Sequence, residues 1–336
     1  MINLGIAGMG YIGQVHLEAS RKLSGAQVVA AATLEPEKAR DKFPGIQIYS
    51  TFQELFRDDR LDAVIIALPT DLHEKAVVMA AECGRHILCE KAMALDADSA
   101  RRMLEAAEAH DRIFMVAHVL RFWPQYARIK ELIDAGEIGT VISVAAYRLS
   151  KYPPWMDWFR DPARSGGTLL DLETHDVDFV HWILGHPQSA YTVGIQSPAG
   201  AWDHVHTILN YPHAQASIEA SSLMPESFPF STRILVVGTE GALEYTFRVS
   251  ANVQERESAS HFFRLYKRGG RECEPTASTE DAYAAQLRYF VQCVTERQPP
   301  RLCPPEESCQ VMQVMSALRR SAESGRIVGL GEHGYE

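Results

Sequence analysis

The sequence predicts an α/β protein: an N-terminal domain on a parallel sheet, then an α+β domain with a mainly antiparallel open sheet. Three observations carry this. In the first part of the chain, apolar strands alternate with helices, a rhythm that requires crossovers and a parallel sheet. One of these strands, Leu61–Leu68 (LDAVIIAL), is an apolar run of the kind a strand buried on both faces needs. From Ala190 to Tyr266 the pattern becomes strand after strand, with turn signals at Tyr211-Pro212 and Gly238-Thr239-Glu240-Gly241.

The elements follow in order. Asn3–Ala7 is a short strand, Tyr11–Leu23 a helix and Ala26–Thr33 a second buried strand. Pro36–Phe43 and Phe52–Arg57 are helical, and the Leu61–Leu68 strand follows. Asp71–Cys83 is a helix, His86–Cys89 a strand, Asp96–Ala109 a helix and Ile113–Ala117 a strand. After His118 the rhythm changes, which places a boundary between domains 1–119 and 120–336. Trp123–Ala135 is an amphipathic helix stopped by Gly136, and Val141–Leu149 is a strand. Lys151–Arg164 is an aromatic loop, Thr168–Leu184 one helix stopped by Gly185, and two helices near Thr279–Glu296 and Pro305–Ser324 close the chain.

The bulk numbers exclude several partners. The chain has 336 residues, enough for two ordinary domains, and a formal net charge of −10. Neutralising phosphates needs a basic surface, so neither a nucleic acid nor an anionic membrane is expected. No apolar run approaches the roughly 18–20 residues of a membrane helix. No basic segment precedes the apolar, glycine-punctuated start, so no signal peptide is read there. Cys83, Cys89, Cys273, Cys293, Cys303 and Cys309 form no CxxC pair. They suit reduced thiols and a cytoplasmic location.

Gly8-Met9-Gly10-Tyr11-Ile12-Gly13 fits G-x-G-x-x-G between a strand and a helix, the context in which this motif is informative. Gly8 permits the tight turn, Gly10 lets the backbone approach a pyrophosphate, and Gly13 lets helix and strand pack closely. The N–H groups at the helix start, from Tyr11 and Ile12 onward, favour an anion. The second strand ends at Thr33, where an acidic residue ordinarily receives the ribose hydroxyls. Thr33 does not repel a 2′-phosphate, and Lys38 lies one turn into the next helix. This favours NADP(H), while Glu35 nearby keeps NAD(H) open. Leu68, Pro69, Thr70 and His73 follow the strongest strand, at the carboxyl edge where open α/β sheets bind ligands.

Two further segments, Cys89-Glu90-Lys91-Ala92-Met93-Ala94 and Gly166-Gly167-Thr168-Leu169-Leu170-Asp171-Leu172-Glu173-Thr174-His175, complete a pattern with the glycine turn. Together they resemble the glucose–fructose oxidoreductase / inositol dehydrogenase / MocA (Gfo/Idh/MocA) family over nearly the whole chain. The resemblance implies an N-terminal Rossmann domain and an open-sheet domain whose far face often makes oligomer contacts, hence a homodimer or homotetramer. It implies oxidation or reduction of a small sugar-like substrate: a sugar, cyclitol or related polyol or ketone. The family's E-K-P lysine corresponds to Lys91, with Glu90 beside it on the cofactor side, and its D-x-x-x-H pair to Asp171 and His175. The family's proline is Ala92 here.

The chemistry of these residue types agrees. Oxidising a secondary alcohol removes a hydride from carbon and a proton from oxygen, and the protein must handle the proton. An imidazole titrates near working pH, so His175 is the expected proton acceptor. Asp171 lies four residues earlier and is expected on the same helical face, to orient His175 or bind a neighbouring hydroxyl. Lys91 is expected to hydrogen-bond the reacting oxygen. His118 is a further substrate-side candidate. Arg121 is read as a cofactor or substrate contact, or as part of a salt bridge between domains. Tyr152, Trp155 and Trp158 offer rings either to a sugar face or to the core. His204 and His206 share one strand face without further ligands nearby in sequence, and no metal is expected. A cofactor-sensing regulator and a glycoside-cleaving enzyme that retains its NAD remain open alternatives.

Overall fold

In a computed structural model, which describes residues 1–152, 157–249 and 259–331, the first six strands form one parallel sheet. They are β1 (Ile2–Ala7), β2 (Ala26–Ala32), β3 (Gln47–Tyr49), β4 (Ala63–Ile66), β5 (His86–Cys89) and β6 (Phe114–Val116), in the order β3-β2-β1-β4-β5-β6. Between them run α1 (Tyr11–Ser20), α2 (Pro36–Lys42), α3 (Phe52–Phe56), α4 (His73–Glu82) and α5 (Ala97–Ala109). Local chemistry sets several of these starts. Thr51 and Glu54 form a reciprocal capping box at α3, and the Asp96 carboxylate accepts the Ser99 N–H at α5. β4 is buried at every position, as its apolar run requires. β3 escapes the sequence reading because three residues beginning with an exposed Gln carry no periodic signal.

Pairing register puts one residue from each of five strands in a row: Ala32, Ala7, Ile66, Cys89 and Val116. Every one of these strands ends there, so the loops that follow leave from one edge of the sheet.

The first segment ends close to the expected boundary at residue 119, and the chain later returns to the same unit. One compact unit comprises Met1–Trp123 together with Glu280–Met312; the other comprises Pro124–Thr279 and Gln313–Glu336. The cause is α10 (Ala282–Glu296). Its Leu287, Phe290, Val291 and Val294 join Leu4, Ile6, Leu17 and Ile65 in one buried cluster. Sequence order hides such a return, because only the packed face of the helix reveals it.

The second unit holds α6 (Pro124–Asp134), β7 (Val141–Leu149), α7 (Pro162–Ser165), α8 (Gly167–Asp171) and α9 (Thr174–Leu184). Its sheet continues with β8 (Ser189–Gln196), β9 (Trp202–Asn210), β10 (Gln215–Ser221), β11 (Phe230–Gly238), β12 (Gly241–Val249), β13 (Ser260–Lys267), β14 (Arg271–Cys273) and β15 (Val328–Gly329). The nine strands run in the order β14-β13-β12-β11-β7-β10-β9-β8-β15. All pairs are antiparallel except β7 with β10. Along β9, Asp203, Val205, Thr207 and Leu209 are buried, while His204, His206 and Ile208 take the opposite face. α11 (Pro305–Ser324) supplies residues to both units.

The expected single helix Thr168–Leu184 is two helices, α8 and α9. The Glu173 N–H reaches back to the Thr168 carbonyl at 3.1 Å, five residues earlier, and a fresh turn begins where Val177 donates to Glu173 at 3.0 Å. Asp171 therefore ends one helix and His175 is the second residue of the next, so the two do not share one unbroken helix.

Candidate functional site

Gly8 and Gly13 sit where a side chain has no room. Gly8 has φ +99°, and a Cβ there would lie 2.3 Å from the Ala67 carbonyl oxygen. A Cβ on Gly13 would lie 1.9 Å from the Gly8 oxygen. Gly10 differs: a Cβ would meet nothing within 4 Å, so the turn is open on that side. Gly10 is also the N-cap of α1, with no side-chain cap and no acidic residue in the first turn. Tyr11 and Ile12 open this helix, half-buried. An uncapped, unshielded helix start beside an open glycine fits a dinucleotide pyrophosphate, which takes both the N–H groups and the partial positive charge.

The neighbouring loops leave from the same register row. Thr33 follows β2, and its Oγ1 accepts the Glu35 N–H at 3.4 Å. Lys38, exposed, is ion-paired with Glu35. The cation and the acid named as rival ribose-side signals thus bind each other. Leu68, Pro69 and a buried Thr70 follow β4, and Glu90 and Lys91 follow β5.

Three buried candidates in this unit make bonds within the protein. The His73 ring is buried, with Nδ1 at 3.0 Å from the Ala92 oxygen and 3.3 Å from the Met93 oxygen, and Nε2 at 2.9 Å from the Leu68 oxygen. Burial holds its pKa down against those three carbonyls. It joins the loop after β4 to the loop after β5. Glu90 likewise turns inward. One oxygen is 2.7 Å from His16 Nε2, and the other accepts the Lys91 N–H at 3.2 Å. Arg121, 2% exposed, donates to Glu307 at 2.6 Å and to the Leu302 carbonyl at 2.9 Å. This is a salt bridge within the first unit. His118 is buried with Nε2 at 3.1 Å from Ser308 Oγ, which fixes it in that same unit.

The Lys91 loop is therefore held from both sides, by Glu90–His16 and by His73. Lys91 itself is half-buried, Ala92, Met93 and Ala94 are buried, and the Lys91–Ala92 peptide is cis. His16 escaped sequence reasoning. Its only signal is a histidine three residues beyond Gly13 on the inward face of α1, where Tyr283 meets it edge-on at 6.0 Å.

In the second unit Asp171 and His175 are both half-buried at the α8–α9 junction. Buried chemistry flanks them. Asp176, one residue after His175, receives two hydrogen bonds from Arg148 on β7, at 2.8 and 3.0 Å, with both side chains buried. Burial opposes charge on Arg148, and the Asp176 carboxylate and the Tyr126 hydroxyl together more than offset it. The pair ties the first turn of α9 to the sheet. Glu173 is fully buried, and among the described residues neither carboxyl oxygen meets a hydrogen-bond partner within the usual distance and angle. Burial pushes its pKa up to about 8, with Thr207 opposing and Asp176 adding. An acid inside Leu169-Leu170-Asp171-Leu172-Glu173-Thr174 was the available signal, overlooked beside the Asp171–His175 pattern.

The aromatic candidates divide. The Tyr152 ring stands edge-on to buried Phe159 at 5.9 Å, under the Arg160 guanidinium at 5.0 Å. Burial, then Asp203, pushes its hydroxyl pKa up. Trp158 is half-buried against Phe159 at 6.2 Å. Trp155 lies outside the described residues. All six cysteines are free, and no helix among the described residues is long and apolar enough to cross a membrane.

A doubly wound sheet with a glycine turn that fits a dinucleotide, followed by a mostly antiparallel open-sheet unit, defines a class: a two-domain NAD-binding oxidoreductase. Residues 2–118 match the family description "Oxidoreductase family, NAD-binding Rossmann fold", and residues 126–244 match "GFO/IDH/MocA C-terminal domain". The chain belongs to the GFO/IDH/MocA oxidoreductase family. An inositol 2-dehydrogenase of Rhizobium meliloti (strain 1021) is 30% identical over 251 residues, covering 72% of this chain and 74% of the relative. D-xylose 1-dehydrogenase (NADP(+)) 2 of Haloferax volcanii is 29% identical over 330 residues, 97% of this chain and 98% of the relative. In fold, the chain is similar to the aldose-aldose oxidoreductase of Caulobacter crescentus, with a TM-score of 0.85 at 22% identity over 98% of this chain and 99% of that one.

Proposed function

We propose that this protein moves a hydride between a nicotinamide dinucleotide and the CH–OH carbon of a sugar, cyclitol or related polyol, or its ketone. The observation that carries this is the Lys91 loop, braced from both sides and leaving the same sheet edge as the glycine turn. A dinucleotide held there supplies the hydride acceptor in oxidation and the donor in reduction. Lys91 hydrogen-bonds the reacting oxygen and stabilises negative charge on it. His175 takes the hydroxyl proton in oxidation and returns it in reduction. Asp171 orients that imidazole or binds a neighbouring hydroxyl. Alcohol and oxidised cofactor thus give ketone, reduced cofactor and one proton.

NADP(H) is the favoured cofactor, on Thr33 in place of an acid and on the NADP(+) in the name of the Haloferax relative. A second copy of the chain is the expected partner, because the outer face of the second sheet exposes Val193, Ile195 and Ile208. Light scattering on the purified chain reads that directly.

The deciding experiment screens cyclitols, hexoses and glycosides with both cofactors by absorbance of the reduced nicotinamide. With the substrate in hand, His175→Ala lowers kcat by roughly 10²–10⁴-fold and leaves cofactor affinity nearly unchanged. Binding of the reduced cofactor with no turnover of any class would replace this reading with a sensor.

A further inference from the structure

We propose that the outer face of β9 and β10 carries a site for a borderline divalent transition metal, of which Zn²⁺ is the type, built from His204, His206 and Glu219. Their ligand atoms lie within 4.8 Å of one another. This rests on the strand register of the second unit alone.

The strands dictate the cluster. His204 and His206 are two residues apart on β9, so they share a face. Glu219 on β10 pairs directly with His206 across the antiparallel ladder, which places Cβ atoms about 5 Å apart. The residues between them, Asp203, Val205, Thr207, Ile218 and Ala220, are buried on the inner face and hold both strands in place. The three side chains are therefore presented by rigid backbone, the arrangement a metal site needs for preorganisation.

The distances fit a metal edge. His204 Nε2 and His206 Nε2 are hydrogen-bonded at 3.1 Å, with the rings inclined at 74°, and an ion would take the place of the shared proton. Two imidazoles bound at about 2.0–2.1 Å, subtending about 90–109° at the ion, stand roughly 2.9–3.4 Å apart. The observed separation falls inside that window before any ion is supplied. Glu219 has no ion pair among the described residues, and Arg233, a cation on the same face, is bound to Glu244 at 2.8 Å. The acceptor charge at Glu219 is thus left for another cation. Two imidazoles and one carboxylate are borderline ligands that suit Zn²⁺, Ni²⁺ or Cu²⁺ over Ca²⁺ or Mg²⁺. Three protein ligands leave a coordination position for water, as in open zinc sites.

The test uses the full chain without a histidine tag, stripped with a chelator and titrated with Zn²⁺ by calorimetry and equilibrium dialysis. One equivalent per chain is expected. His206→Gln and Glu219→Gln each weaken binding by at least about tenfold, while His213→Gln, outside the cluster, leaves it unchanged. Co²⁺ in place of Zn²⁺ gives a visible absorption band that His206→Gln removes. Failure of the parent chain to bind Zn²⁺, or equal affinity in the cluster variants, overturns the proposal. The substituted side chains lie on the sheet's outer face, and circular dichroism verifies that each variant is folded.

Discussion

The two units position their candidate residues by different physics. In the first, backbone pairing does the placing. Five strands end on one register row, and Gly8, Thr33, Leu68, Glu90 and His118 follow within two residues of it. In the second, side chains do it. The α8–α9 junction that bears Asp171 and His175 is tied to β7 by one buried ion pair and lies beside one buried carboxyl. Backbone placement tolerates change in side chains, whereas side-chain placement concentrates the same task in a few atoms. The second unit should therefore fail abruptly where the first fails gradually.

The largest expected effect breaks the buried pair. Arg148→Met leaves Asp176 charged and unpaired, at a cost of about 3–5 kcal/mol in chemical denaturation. Adding Asp176→Leu recovers most of that loss. A single-variant cost under about 1 kcal/mol would show that the ion pair does not hold α9.

Glu173 sharpens the contrast through pH. Its native pKa stands near 8, above the ordinary 4.5, so the native state holds a proton that the unfolded chain releases earlier. Its contribution to stability is therefore greatest below about pH 4.5 and is lost as pH rises to about 8, at a slope of about 1.4 kcal/mol per pH unit. Glu173→Gln removes this slope and stabilises the protein at pH 8. Denaturation curves for the two proteins from pH 5 to 8 measure it; parallel curves would mean that Glu173 is ionised in the fold.

The glycine turn gives the matching test of the first unit. Gly13→Ala forces a Cβ against the Gly8 oxygen, costing about 1–3 kcal/mol and weakening dinucleotide binding together. Gly10→Ala meets no atom of the protein, so the melting temperature stays put while affinity for the reduced cofactor falls. If both variants change stability equally, the two glycines do not have separate tasks. The smallest effect is expected at Thr33→Asp, which moves cofactor preference several-fold towards NAD(H) with little change in kcat, read from kcat/KM for each dinucleotide.

Much of the first unit was legible in the sequence because its signals are local. The apolar runs that became β1, β2, β4, β5 and β6, and the glycines, act over fewer than ten residues. β3 was lost because three residues carry no period. The internal bonds of His73, Glu90 and Arg121 were hidden for a related reason. A histidine, acid or arginine near a sheet edge serves a ligand or the protein's own carbonyls equally well, and only burial tells which. The break between α8 and α9, the Arg148–Asp176 pair and the return of α10 all depend on partners far along the chain, where periodicity is silent.

The register row has a consequence for how such a protein changes over time. β2 and β5 are separated by β1 and β4, so the loop bearing Thr33 and the loop bearing Lys91 leave the sheet about 14 Å apart. The bonds described for the two loops are distinct: Thr33 bonds to Glu35, and the Lys91 loop to His16 and His73. On the proposed reading, cofactor choice and proton handling are separate modules on one scaffold. On that reading, a lineage exchanges one dinucleotide for the other by rewriting residues after β2 and leaves its chemistry intact.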